Sequence, residues 1–384
     1  MKFELNKDVL TIYLEGEFNS SNAEQIGQEI DKIVNKEKFN KLVMDLAKVS
    51  YISSAGLRVF LKLKQRYDNY SIINASLEVY DVFQMTGFTN MMDIKKALRK
   101  VDVSHAEVIG EGFFSTVYRL DKDTIVKVFN RTSDADQIQR ELRLAKEAFV
   151  LGVPTAISFD IVQAGDKLGV MFEMLDCASL KNVLLEDKKH YQENLKKYAM
   201  LLKKINTTEC LNPEIPDIKK LYFKKLEEIK KHLEDKYYQK AKKLLESIPD
   251  RKTFVHGDCH FKNIMVQNGE FLLIDMDTLS VGHPIFELAA IYAPYCAFNE
   301  DEPGNSVKFF GIKDEDAKNL YNTVLDLYFG KDIKEGKDKI RLLSYIHMVW
   351  WNRVNEPNNN VRLEGCRSRL YELLDKYNDL DIGI

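Results

Sequence analysis

Over residues 8–85 the chain alternates short apolar runs with longer segments whose apolar residues recur every three or four positions. DVLTIYLEG (8–16) alternates apolar and polar residues, the pattern of a strand with one buried face. SSNAEQIGQEIDKIVNK (20–36) repeats Ile26, Ile30 and Ile33 on one face, which predicts a helix opened by serine caps. KLVMDL (41–46) reads as a short buried strand, SSAGLRVFLKLKQRY (53–67) as a helix begun at its serines, SIINA (71–75) as a strand, and YDVFQMTG as helical. This β-α-β-α-β-α order predicts an α/β domain over residues 1–100, a small mixed sheet with helices packed on it. DIKKALRKVDVSHA (93–106) reads as a short charged helix that joins it to the rest.

From residue 107 the rhythm changes. EVIGEGFFSTVYRLDKDTIVKVF (107–129) reads as strand, glycine turn, strand, turn, strand. SDADQIQRELRLAKEAFVLG (133–152) predicts a helix with a capping box at Ser133 and Asp136, and GVMFEML (169–175) a further strand. Beyond about residue 179 the pattern is mainly helical. In the lysine-rich stretch 218–247, Tyr222, Leu226, Ile229, Leu233, Tyr237, Ala241 and Leu244 keep one buried stripe. Its lysines interleave with glutamates, which describes a solvated helix face rather than a nucleic-acid patch. The expectation is an α+β domain over 105–384, strand-rich to 175 and helical from 176.

Composition narrows the classes. A chain of 384 residues with 45% apolar and 30% charged residues has room for two or three soluble domains. A formal net charge of -3 gives no reason to expect nucleic acid or a basic membrane surface. No apolar run approaches the ~20 residues of a membrane span, and MKFELNKDVL lacks a secretory apolar core. Cys177, Cys210, Cys259, Cys296 and Cys366 are scattered without a CxxC pair, so they read as reduced thiols of a cytoplasmic protein.

The chemistry concentrates in HGDCHFKN (256–263) and IDMD (274–277). Phosphoryl transfer from ATP needs a loop over the phosphates, a cation on them, a partner for that cation, metal ligands and a residue that orients the nucleophile. Each has a candidate in kinase order. Gly110 and Gly112 in GEGFFST let the backbone turn tightly and aim amides at phosphate. Phe114, Ser115 and Val117 continue that nucleotide-facing segment, and Glu173 and Leu175 are assigned to the nucleotide at the end of GVMFEML. Lys127 in IVKVF supplies the cation; Glu141 and Glu147 both qualify as its partner, and Glu141, in mid-helix, is preferred. Asp258 would accept the proton of the attacking hydroxyl. Asn263, Asp275 and Asp277 are hard oxygen ligands suited to Mg²⁺, and the apolar FLLI holds Asp275 rigidly. His256 and His260 are assigned to loop support.

VHGDCHFKNIMV…FLLIDMDTLSVGHPIFELA resembles the catalytic signature of the aminoglycoside phosphotransferase and choline kinase family. The family's H-G-D-x-H-x-x-N is matched by His256, Gly257, Asp258, His260 and Asn263, and its I-D-x-[DE] by Ile274, Asp275 and Asp277. The resemblance implies a bilobal protein-kinase-like fold, ATP and Mg²⁺ as cofactors, and a hydroxyl acceptor, mostly a small molecule in that family. Two positions depart: Gly282-His283-Pro284 and Glu287-Leu288-Ala289 stand where the family often has G-D-P and D-L-A. The helical remainder names no acceptor; Tyr345, Trp350 and Trp351 have the aromatic character to cage a cation but sit at core-like helical spacing.

MDLAKVSYISSAGLRVF (44–60) resembles the signature of STAS domains, the anti-sigma-factor antagonist module. Asp45 matches its strand aspartate, and Ser54, followed by Gly56 and Leu57, matches its phospho-accepting serine. The resemblance implies phosphorylation at Ser54 and an anti-sigma-factor-like or other signalling partner. Capping alone also accounts for Ser53 and Ser54, and Ser53 stands where the family often has an acidic residue. Two readings stand side by side: a phosphotransferase with a regulatory module, and a partner-switching protein whose kinase-like part senses nucleotide or phosphorylates protein serine or threonine.

Overall fold

The computed structural model describes residues 1–111, 115–130, 135–156, 158–174 and 177–384, apart from the side chains of 135–137, 140 and 141. The chain divides into two compact units, Met1–Asp102 with Val162–Asp166, and Val103–Ile161 with Lys167–Ile384.

The first unit is built on a five-stranded sheet in the order β1 (Lys2–Asn6), β2 (Val9–Phe18), β3 (Lys41–Ile52), β4 (Tyr70–Ala75) and β5 (Asp93–Lys96). β1 pairs antiparallel with β2, and the remaining pairs are parallel. Parallel neighbours require crossovers, supplied by α1 (Ala23–Lys36), α2 (Ser54–Arg66) and α3 (Leu77–Met85). Leu10, Ile12 and Leu14 alternate into the core with Leu42, Met44, Phe60, Ile72 and Phe83.

Three sequence expectations change here. The serines before α1 do not cap it: Asn22 holds the N-cap position, and its side chain instead ties Asn19 N and Glu17 O. β3 runs twice as far as KLVMDL, because β2 pairs along it to the Phe18–Ile52 register. Residues 93–106 carry β5 and β6 (Arg99–Val101) instead of a charged helix. Met92 and Ile94 are buried with exposed Asp93 between them, a period of two, and Ile94 registers with Ile72 of β4. The open edge of a parallel sheet thus prevails over weak helical spacing.

The second unit begins with β7 (Glu107–Glu111), β8 (Ser115–Arg119) and β9 (Thr124–Phe129), paired antiparallel in sequence. α4 (Ala135–Val150) and β10 (Ser158–Ala164) follow, and β11 (Lys167–Glu173) pairs with β9. The capping box at Ser133 and Asp136 lies outside the described residues. After β12 (Ala178–Ser179) come α5 (Leu180–Glu186) and α6 (Tyr191–Thr207). The lysine-rich stretch forms two helices, α7 (Ile218–Ile229) and α8 (Asp235–Ser247), with a 3₁₀ turn at Lys230–His232 and extended Leu233 and Glu234 between them. α7 packs on α13 (Lys334–Asn355) and α8 on α14 (Asn360–Lys376), so the one buried stripe serves two neighbours.

Next come β13 (Phe254–Val255), β14 (Ile264–Gln267), β15 (Glu270–Leu273), β16 (Ser280–Val281) and α9 (Ile285–Tyr292). α9 widens into a π-helical turn at Ala293–Ala297 before α10 (Phe298–Asp301). Pro294 has no N–H for the ordinary helical bond, which accounts for the wider turn. α11 (Asn305–Phe310) and α12 (Asp314–Phe329) complete the set. The core of this unit runs from Leu144 to Ile382 and is separate from that of the first. Among the described residues no helix is long and apolar enough to cross a membrane.

Candidate active site

β13 and β16 pair antiparallel through Phe254–Val281 and Val255–Ser280, fixing both ends of the segment that holds HGDCHFKN and IDMD. The hairpin β14–β15 lies between them. Leu273 N donates to Pro154 O at 2.8 Å, and Thr155 Oγ1 donates to Leu273 O at 3.1 Å, so the strand end before Asp275 is clamped.

The loop is held by groups that accept or donate from below. His256 Nε2 lies 3.1 Å from Ile274 O, and Asp258 N donates to His256 Nδ1 at 3.2 Å, so the imidazole is neutral with its proton on Nε2. Burial agrees, lowering the His256 pKa to about 4. Gly257 adopts φ +84, and a β-carbon there would stand 3.1 Å from Thr278 O. Only glycine meets both demands without strain.

Asn263 Nδ2 donates to Asp258 O and to Asp258 Oδ2, each at 3.0 Å, so its amide oxygen is the atom available as a ligand. Asp275 sits in the left-handed region at φ +66, a strained position for a residue with a β-carbon. Its carboxylate is ion-paired with Lys127 from β9, 148 residues earlier in the chain. Lys127 is 19% exposed and Asp275 37%. Across the sheet Lys127 registers with Val117 on one side and Val170 on the other, and Val117 registers with Gly110. Asp258, Asp277 and Asp275 form an acidic group: burial, then the Asp277 and Asp275 charges, push the Asp258 carboxyl up to about 8. The Asp258 side chain nonetheless keeps 44% of its surface exposed, so solvent and any bound cation act on it directly. Among the described residues no three His, Cys, Asp or Glu side chains are gathered to close around a metal. Asn263, Asp275 and Asp277 fit an ion that takes its remaining ligands from phosphate and water.

The other assigned residues fall as follows. Ser115 opens β8 opposite Phe129, and Glu173 ends β11 opposite Thr124, exposed. Gly112, Phe114 and Leu175 lie outside the described residues, as does the Glu141 side chain. Glu147 is committed elsewhere, accepting from Asn212 Nδ2 and from Cys210 Sγ at 3.6 Å. His260 is wedged edge-on against Phe309 and Phe310, at 5.4 and 5.6 Å between centroids. Its Nε2 lies 3.5 Å from Asp258 Oδ1, and burial lowers its pKa to about 3. Cys259, within the loop, is fully buried. Tyr345, Trp350 and Trp351 form no common cage: Tyr345 donates to Glu300, Trp350 to Glu228, and Trp351 packs on Phe298 and Arg362.

Sequence reasoning noted Glu287 only as a departure from the family's D-L-A and did not place it under the loop. Glu287 is fully buried on α9 and accepts from His256 N at 2.5 Å and Gly257 N at 3.3 Å. Burial raises its pKa to about 7, and those amides pull it back. Tyr295, in the π-helical turn, accepts from Phe261 N at 2.9 Å; Tyr198 on α6 donates to Cys259 O. The available signals were a carboxylate in the otherwise apolar IFELAAIY and its place at the family's D-L-A position. In the first unit, Ser53 is the N-cap of α2 and accepts from Gly56 N at 3.4 Å, while Ser54 is exposed as the first helical residue. Capping therefore employs Ser53 and leaves Ser54 without that role. Asp45 is buried, accepting from Ala47 N and Asn74 Nδ2, both at 2.8 Å.

The chain belongs to the phosphotransferase enzyme family, whose model matches residues 105–308, and it carries a STAS domain at residues 1–101. A Bordetella bronchiseptica protein provisionally named anti-sigma factor antagonist BtrV is 35% identical over 100 residues, covering 24% of this chain and 85% of its own. The anti-sigma-B factor antagonist of Listeria monocytogenes is 27% identical over 107 residues, covering 27% of this chain and 93% of its own. The gentamicin complex of APH(2'')-IIa is 15% identical with a TM-score of 0.47, over 78% of this chain and 97% of that one.

Proposed function

We propose that residues 105–384 transfer the γ-phosphoryl group of ATP to a hydroxyl of a small-molecule acceptor, with residues 105–175 and 176–384 as the two lobes and 1–100 as a regulatory module. The observation that carries this reading is the Lys127–Asp275 ion pair. It puts the strand lysine and the turn carboxylate on one space, with Asp258 beside them. In the reaction Lys127 binds the α- and β-phosphates, and Gly110, Ser115 and Val117 line the nucleotide. Asn263, Asp275 and Asp277 hold Mg²⁺, which when bound neutralises phosphate charge. Asp258 orients the acceptor hydroxyl and takes its proton as the oxygen–phosphorus bond forms and ADP leaves. His256, His260 and Glu287 keep that carboxylate in place.

In the STAS domain, Ser54 is the phosphorylation site through which an anti-sigma-factor-like partner is gained or lost. An exposed hydroxyl at a helix start suits this role, since a phosphate there meets the helix N-terminus and adds nearly two charges. Calorimetry of ATP binding with and without Mg²⁺ tests the enzyme reading. Mg²⁺-dependent binding that is lost in Asp275→Ala is expected. Equal binding without Mg²⁺ would remove Asn263 and Asp275 as ligands, and binding without any turnover would favour a nucleotide sensor.

A further inference from the structure

Next to Asp258, two ammonium groups converge on the C-terminal end of α11. Lys262 Nζ donates to Phe309 O at 3.4 Å and lies 4.4 Å from the centroid of the Phe309 ring. Lys181, on α5, brings its Nζ within 3.7 Å of where a β-carbon on Gly311 would stand. α5 itself packs against the 3₁₀ turn Phe261–Asn263 that carries Lys262. The same Phe309 ring touches His260, whose Nε2 is 3.5 Å from Asp258 Oδ1. Lys262 follows Asp258 by four residues in the same loop, and the charges of Lys181 and Asp258 both act on it.

The carboxylates of the adjoining wall are already engaged. Glu300 on α10 is bound by Arg341, Asp301 by Arg369, and Glu302 by Lys308. Asp314 on α12 accepts from Gly304 N at 2.6 Å and Ser306 N at 3.1 Å. Among the described residues, by contrast, neither Lys181 nor Lys262 is ion-paired. On this wall a hydroxyl carried on an amine would approach two cations that are not ion-paired, with the carboxylates around them already engaged. A hydroxyl carried on a carboxylate or phosphate would meet two charged donors.

We infer that the acceptor is a hydroxyl compound bearing an anionic group, which Lys181 and Lys262 hold so that its hydroxyl faces Asp258. The inference rests on the phosphotransferase reading above. Two cations at a helix C-terminus also favour the fold electrostatically, but that role sets no preference for the charge of the acceptor.

The test uses the full chain, Mg²⁺ and ATP labelled with ¹⁸O in its γ-phosphoryl group. A polar metabolite extract is first split by ion exchange into anionic, neutral and cationic fractions, each fraction is then incubated separately with the enzyme, and labelled products are identified by mass spectrometry. Label is expected in the anionic fraction. With the acceptor found there, Lys181→Ala and Lys262→Ala should each raise its KM about tenfold or more, the scale of a charged hydrogen bond. The KM for ATP should stay within about twofold, ordinary scatter against an effect of that size. Lys181→Arg and Lys262→Arg should recover most of the loss. Label in the neutral or cationic fraction, or an acceptor KM indifferent to both alanine variants, overturns the inference. A rise in the KM for ATP instead assigns the lysines to nucleotide phosphate, which also overturns it. Label in no fraction, together with no ATP hydrolysis, overturns the phosphotransferase reading itself and this inference with it.

Discussion

Asp258 and Glu287 show how differently two carboxylates in one site can act. Asp258, the proposed base, lies partly exposed among Asp275 and Asp277, while Glu287 is fully buried with its oxygens on the loop amides. Asp258→Asn should therefore lower the single-turnover rate by about 10²–10⁴-fold, the range of a general base, with little change in ATP affinity. A loss below about threefold, far outside that range, would move the base to another group. Glu287→Ala leaves the amides of His256 and Gly257 without partners in the interior. Each orphaned buried donor costs about 1–3 kcal/mol, so the variant should lose both melting temperature and turnover. A variant that lost turnover at unchanged melting temperature would make Glu287 part of the chemistry.

At the scale of elements, the helix after the site matters as much as the strands before it. α9 carries Glu287, and the π-helical turn that follows it carries Tyr295, whose hydroxyl accepts from Phe261 N. An unbroken α-helix would turn Tyr295 to another azimuth, so Pro294 contributes to the loop geometry through the wider turn. Tyr295→Phe is expected to destabilise the second unit by about 1–3 kcal/mol, since it removes one buried acceptor with little change of volume. Chemical denaturation measures this, and a loss under about 0.5 kcal/mol would mean that the Phe261 amide finds another partner.

At the scale of the whole molecule, the two units have separate cores, Leu10 to Ile94 in one and Leu144 to Ile382 in the other. A fragment of residues 1–102 is expected to unfold cooperatively on its own, as read by circular dichroism on heating; a sloping, non-cooperative melt would show dependence on the rest of the chain. Incubating the full chain with Mg²⁺ and labelled ATP, then mapping phosphosites, tests regulation. Label on Ser54 that disappears in Asp258→Asn establishes self-modification, where tethering supplies ~mM effective concentration. Ser54 labelled only by other cellular kinases places the switch outside the chain, and no label from either source leaves Ser54 without the proposed role.

Much of this protein was legible in residue order alone. Alternation marked β2 and three-four spacing marked α1, because those elements bury one face each and the pattern records which. HGDCHFKN and IDMD marked the candidate site, since Asp, Asn and Gly at fixed short spacing are set by local backbone needs such as φ +84 at Gly257. What spacing cannot carry is partnership across long separations. The tertiary structure alone put Lys127 on Asp275, sent Glu147 to Asn212, and slid Glu287 under the loop. It also made 93–101 strands, because a sheet edge offers hydrogen bonds that a short isolated helix cannot match. It split 218–247 between two packing partners while leaving the apolar rhythm intact. Local pattern fixes which face of an element is buried; only the assembled core decides what that face meets.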